Sequence, residues 1–147
     1  VDGSWKVNSR GDYSGGIGGS IVRCTGESLM IFSGPVSSMT ALEAEIEAVL
    51  YVLNVIHNAN LHNRRAVVCT DSMSAINSIY KGLGIDFTLL VPKFDLERLL
   101  NESVTIKFIP RELNGNADQL AKEGASRSNF FLYHPMLPRG DYNLSDE

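Results

Sequence analysis

Apolar and polar positions along the 147-residue chain follow two rhythms. Ile17–Cys24 and Leu29–Ser33 are apolar, β-prone runs joined by Thr25-Gly26-Glu27, which predicts a hairpin. Val1–Val7 predicts an earlier strand, with the glycine-, serine- and charge-rich Asn8–Gly16 as a loop between. From Thr40 the rhythm becomes helical. Leu42, Ile46, Val49, Leu50, Leu53 and Ile56 form one stripe ending near His57, and Thr40-x-x-Glu43 fits a capping box. Ala66–Thr70 is a continuous strand-like run, and Asp71-Ser72 opens a helix to about Tyr80 that Gly82 and Gly84 close. Lys93–Leu100 predicts another helix, Val104–Ile109 a fifth strand, and Ala117–Ala125 a last helix.

The order βββαβα(α)βα implies an α/β fold. Short connections among the first three strands predict an antiparallel meander, and helical crossovers predict parallel strands after it. The expected architecture is a mixed five-stranded sheet flanked by helices. One domain is expected over residues 1–127, with 128–147, rich in proline and aromatics, as an irregular tail. A first residue other than Met suggests a chain cut from a longer polypeptide, with the edge of the first strand truncated.

The stripe of the first long helix raises a chemical question. At roughly 100° per residue, Glu47 falls with Tyr51 and Asn54 on the polar side, and Glu43 falls at its border. Glu45 falls inside the apolar arc, between Ile56 and Val52. A carboxylate there is costly unless a cation, a set of donors or a metal compensates it; snorkelling to water is the open alternative. Asp2, Asp71 and Asp118 share its ambiguity. Asp2 could belong to a turn, Asp71 could cap the helix that follows, and Asp118 could serve a helix dipole. Asp71 also stands at the carboxyl end of a buried strand, where open α/β sheets bind ligands.

Composition narrows the chemistry. With 44% hydrophobic and 20% charged residues the chain has the balance of a globular domain, and no run reaches a membrane span. Cys24 and Cys69 read as free thiols of a reducing, intracellular compartment. A net charge of −4 disfavours gripping nucleic acid by charge alone. His57, His62 and His134 have no metal-ligand spacing, Gly15–Gly19 matches no phosphate-binding loop, and no GxSxG elbow occurs. An all-oxygen set of four carboxylates suits Mg²⁺ or Mn²⁺, and two such ions about 4 Å apart suit phosphodiester chemistry.

Asp2-Gly3-Ser4, the Gly-Ile-Gly-Gly strand, Thr40-x4-Glu45-Ile46-x-Ala48, Thr70-Asp71-Ser72 and Asn114-x3-Asp118-x-Leu120-Ala121 occur in that order. Together, over residues 1 to about 125, they resemble the ribonuclease H type 1 superfamily; Ile109–Ala121 resembles its plant, reverse-transcriptase-like branch. The resemblance implies a ribonuclease H-like fold with the first strand central. It implies two Mg²⁺ ions, with Mn²⁺ as a substitute, on Asp2, Glu45, Asp71 and Asp118. Asp2 would bridge both, with Glu45 on the second ion and Asp71 and Asp118 on the first. The implied activity is hydrolysis of the RNA strand of an RNA–DNA hybrid by a monomeric domain. Ser4, Met73, Asn77 and Asn114 are the implied substrate-binding positions, reading 2′-hydroxyls in the minor groove.

Two departures accompany the resemblance. Relatives place a mobile histidine where Phe108 stands. Arg111 or Glu112 could replace it, although Arg111 could equally pair with a nearby carboxylate. The basic protrusion is absent too, since Gly82–Phe94 holds only Lys93, so the grip on hybrid is expected to be modest. A non-catalytic nucleic-acid-binding module, or a nuclease for another nucleic acid, are the alternatives.

Overall fold

Asn8 makes the first turn. Its Oδ1 accepts from the N–H groups of Arg10 and Asp12 at 2.8 and 3.0 Å, and Gly11 takes φ +85°. Strands β1 (Asp2–Val7) and β2 (Tyr13–Val22) leave this turn antiparallel, and β3 (Ser28–Val36) pairs with β2 on its other side. The computed structural model describes residues 1–22, 26, 28–58, 66–82, 100 and 104–133. It continues through α1 (Ala41–Asn58), β4 (Ala66–Thr70), α2 (Met73–Gly82), β5 (Val104–Phe108), a 3-10 turn (Arg111–Leu113), α3 (Gly115–Ser126) and β6 (Phe131–Tyr133).

The expected α/β architecture forms, with three antiparallel strands followed by the parallel pair β4–β5. A sixth strand, β6, pairs antiparallel with β3 and lies within 128–147; residues 134–147 fall outside the described set, as do the helix expected from Lys93, Gly84 and Cys24. The ladders form a four-stranded sheet β1-β2-β3-β6 and the two-stranded β4-β5. The Val1 nitrogen joins them, donating to the Cys69 carbonyl of β4 at 2.8 Å. Val68, Ala75, Ile79, Val104 and Ile106 share one apolar core with Ile17, Phe32 and the inner residues of α1. Among the described residues no helix is long and apolar enough to cross a membrane.

The register assigns each face of β1. Gly3 lies opposite Ile17 and faces α1, while Asp2 lies opposite Gly18, Ser4 lies opposite Gly16, and both pairs face α3. β2 starts at Tyr13, earlier than expected, so Gly15 and Gly16 are strand rather than loop. Their glycine content reflects packing: a Cβ on Gly16 or Gly18 would lie 2.2 or 2.4 Å from the nitrogens of Ala125 and Ala121. Helix α3 therefore rests directly on bare strand backbone. Ser33 fastens it there by donating to the Leu120 carbonyl at 2.6 Å and accepting from Arg127 Nε at 2.9 Å.

The stripe of α1 also needs correcting. Leu42, expected inside, is 39% exposed, because it lies in the first turn. Asn54, expected on the polar side, is 2% exposed, and Tyr51 packs on Phe32 and Phe130. Glu47, expected to face water, is half-buried beneath Ser38, whose hydroxyl donates to it at 3.2 Å. The buried arc also takes in Ala44, Ala48 and Val55, since α1 meets the sheet on one side and α2 on another. That broader arc is centred near Glu45.

Gly18→Ala is expected to cost about 1–3 kcal/mol of unfolding free energy, because α3 must lift off β2. Ser20→Ala, on the exposed part of the same strand, should stay within about 0.5 kcal/mol. Chemical denaturation of both variants checks this.

Candidate active site

Gly3 brings the first two carboxylates together. A Cβ there would lie 2.4 Å from the backbone carbon of Ala44, so only glycine lets α1 settle onto β1. With the helix that close, the Gly3 N–H donates to Asp2 Oδ1 at 2.9 Å and to Glu45 Oε1 at 3.1 Å. The capping box sets the start of α1: Glu43 N–H donates to Thr40 Oγ1 at 3.0 Å, while Glu43 Oε1 accepts from Met39 N–H at 2.7 Å. Glu45 thus points inward beside Asp2, which is itself 3% exposed.

Asp71 arrives from β4, and the helix after it does not use its side chain. Ser72 caps α2 instead, its Oγ accepting from Ala75 N–H at 3.1 Å. Asp71 Oδ2 is buried with no hydrogen-bond partner. Carboxylate oxygens of Asp2, Glu45 and Asp71 all lie within 4.8 Å of one another. Oxygens on one octahedral Mg²⁺, each at about 2.1 Å, lie about 3.0 Å apart when adjacent and about 4.2 Å apart when opposite, so the three side chains would draw together by rotamer adjustment to close on an ion. The all-oxygen donors and the orphaned Asp71 oxygen fit a hard divalent cation.

Asp118 joins through Asp2, with which it shares a hydrogen bond, and stands outside that set of three. Its Oδ2 is held by Lys122 Nζ at 3.1 Å, a residue the sequence reading did not single out. The spacing of four residues on a helix was its only signal. Asn114 steadies this end of the site: its Nδ2 donates to the Val1 carbonyl at 2.8 Å, tying the start of α3 to the residue before Asp2. That use of a 6% exposed side chain contrasts with the substrate contact expected of Asn114.

The remaining expected positions are exposed or half-buried. Met73 and Asn77 are exposed one turn apart on α2, and Ser4 is half-buried on the α3 face of β1. Arg111, exposed in the 3-10 turn, bears electrostatically on Asp118. Phe108 is 43% exposed at the end of β5.

Crowded carboxylates titrate unequally. Burial, the neighbouring Glu45 charge and hydrogen bonds to Glu45 and Asp118 push the Asp2 carboxyl up to about 8. Burial also raises Glu45, opposed by its hydrogen bonds from Asp2 and Gly3. Burial works the same way on Asp118, but Lys122, Asp2 and Arg111 outweigh it and hold that carboxyl below the usual range. Without a cation the site keeps a proton, centred on Asp2.

A family model described as reverse transcriptase-like matches residues 1–124. No curated protein gives a significant sequence match. The fold is similar to LC11-RNase H1 from a compost metagenome, at 26% identity and a TM-score of 0.62, covering 85% of this chain and 91% of that one. The structure of LC11-RNase H1 bound to an RNA/DNA hybrid matches at 25% identity and a TM-score of 0.61, with 85% and 93% covered. A foamy viral protease-reverse transcriptase, also with RNA/DNA hybrid, matches in fold at 21% identity and a TM-score of 0.61, over 84% of this chain and 19% of that one.

The raised Asp2 carboxyl has a consequence for stability. Its ordinary value is 3.8 and its folded value about 8, so between them the folded chain binds more protons than the unfolded chain. Stability of the metal-free protein is therefore greatest below about pH 4 as far as this group is concerned, and falls as pH rises towards 8. Melting temperatures in chelator from pH 5 to 8.5 should decline, and Asp2→Asn should flatten most of that slope, leaving the smaller parts due to Glu45 and Glu47.

Proposed function

The chain belongs to the reverse transcriptase-like family, and on that premise we propose that it is a ribonuclease H, cutting the RNA strand of RNA–DNA hybrids. The observation that carries this reading is the meeting of Asp2, Glu45 and Asp71 oxygens within 4.8 Å, with Asp118 tied to Asp2. Asp2, Glu45, Asp71 and Asp118 would hold two Mg²⁺, which when bound supply charge neutralisation at the phosphate and a more acidic attacking water. The hybrid bound by LC11-RNase H1 supports the substrate class.

The chain's own groups have separable parts in this scheme. The Gly3 N–H fixes the orientation of Asp2 and Glu45, so neither carboxylate has to search for its place. Ser72 relieves Asp71 of capping and leaves its Oδ2 free. Ser4, Met73 and Asn77, accessible near the carboxylates, would meet the hybrid's minor groove, where 2′-hydroxyls distinguish RNA from DNA. Arg111 stands on the Asp118 side of the site, and we assign it to the departing phosphate.

A second reading is a binding module with no turnover. Phe108 favours it, because an exposed phenyl ring moves no proton at the end of β5. Labelled hybrid, duplex DNA, single-stranded RNA and single-stranded DNA, each with Mg²⁺, separate these readings. Cleavage of the RNA strand in the hybrid alone is expected, with Asp71→Asn and Glu45→Gln each losing at least about 10- to 100-fold. Both variants should fold, and Glu45→Gln should melt higher than the parent in chelator, since it removes a charge from a repelling cluster. Hybrid binding that persists in EDTA without cleavage would instead identify the module, and cutting of another substrate would reassign the nuclease.

A further inference from the structure

We propose that Lys122 is a positioning residue that competes with the incoming cation for the Asp118 carboxylate and so sets how much divalent cation the site needs to fill. The inference rests on the reading that these carboxylates receive cations.

The geometry isolates the effect in one side chain. Helix α3 cannot shift to bring Asp118 nearer, because its backbone lies on Gly16 and Gly18 and Ser33 is bonded to Leu120. Only the Asp118 carboxylate can move, and it is divided between two partners, Lys122 at 3.1 Å and Asp2. Lys122 has no rival carboxylate on its helix: Glu123, the nearest, is taken by Gln119 Nε2 at 2.9 Å and Arg127 at 3.5 Å. Among the described residues Asp118 is also the one member of the four with a side-chain ion pair.

The charge imbalance has a direction. A divalent cation entering among the carboxylates is repelled by the Lys122 ammonium and must also draw Asp118 away from it. Both effects raise the cation concentration needed. The Lys122 side chain is 64% exposed, so its hold on Asp118 is weak and salt-screened rather than locked. Removing one charge several ångströms from a divalent ion in a water-like medium corresponds to about a threefold to tenfold change in affinity at low salt.

The test is Mn²⁺ binding to the metal-free full chain, followed by the paramagnetic signal of free Mn²⁺ at low and high salt. Lys122→Gln is expected to bind Mn²⁺ about threefold to tenfold more tightly at low salt, with the gain shrinking as salt is added. Lys122→Arg should behave as the parent, and the Mg²⁺ concentration for half-maximal hybrid cleavage should fall in parallel for Lys122→Gln alone. Unchanged or weaker Mn²⁺ binding by Lys122→Gln, or a gain independent of salt, overturns the proposal. A parent chain that binds Mn²⁺ and cleaves hybrid while Lys122→Gln matches it removes this inference and leaves the functional reading standing. A parent chain that binds no Mn²⁺ removes both.

Discussion

The approach of α1 to β1 at Gly3 is the contact on which the rest of the site depends. At that point a helix backbone and a strand backbone touch with no side chain between them. One N–H then serves two carboxylates, one from the strand and one from the helix. The same device recurs on the other face, where α3 rests on the bare backbone of β2. Two helices held at backbone contact on opposite faces of one strand pair deliver acidic side chains to a common point.

This arrangement is unfavourable for the protein by itself. Apposed buried carboxylates cost stability, and the chain meets that cost partly by retaining a proton on Asp2 and partly by giving Asp118 a lysine. The apolar core under α1 stabilises the fold against that cost. Strain of this kind concentrates where chemistry is done, and its relief on binding a cation is part of what would make the binding favourable.

Much of this was legible in the residues, and the failures have physical reasons. Glu45 was visible as a carboxylate among apolar neighbours even though the stripe was centred too far towards Leu42, since Ala44, Ala48 and Val55 carry weak apolar signals on their own. The choice between Asp71 and Ser72 as the cap could not be made from sequence, because both residue types cap well; the fold decides it by turning Asp71 inwards. Glu47 defied the polar rule because Ser38 covers it, and Asn54 because α1 is packed on more than one side. Gly15 and Gly16 read as a loop because a strand without side chains has no periodicity to detect. β6 was hidden by its brevity, and its place is fixed by long-range pairing with Ile31–Ser33. Lys122 looked like any helical surface lysine, and its significance is only spatial.

Val1 is bonded on both sides of its peptide frame, through its nitrogen to Cys69 and through its carbonyl to Asn114. Those two hydrogen bonds close loops spanning 68 and 113 residues of chain. Contacts of such high order carry a large loop-closure cost before they reward the chain. The acidic centre is consequently a property of the finished topology, and a chain still being synthesised, or one that has opened at either helix, holds the same four carboxylates scattered and harmless in solution.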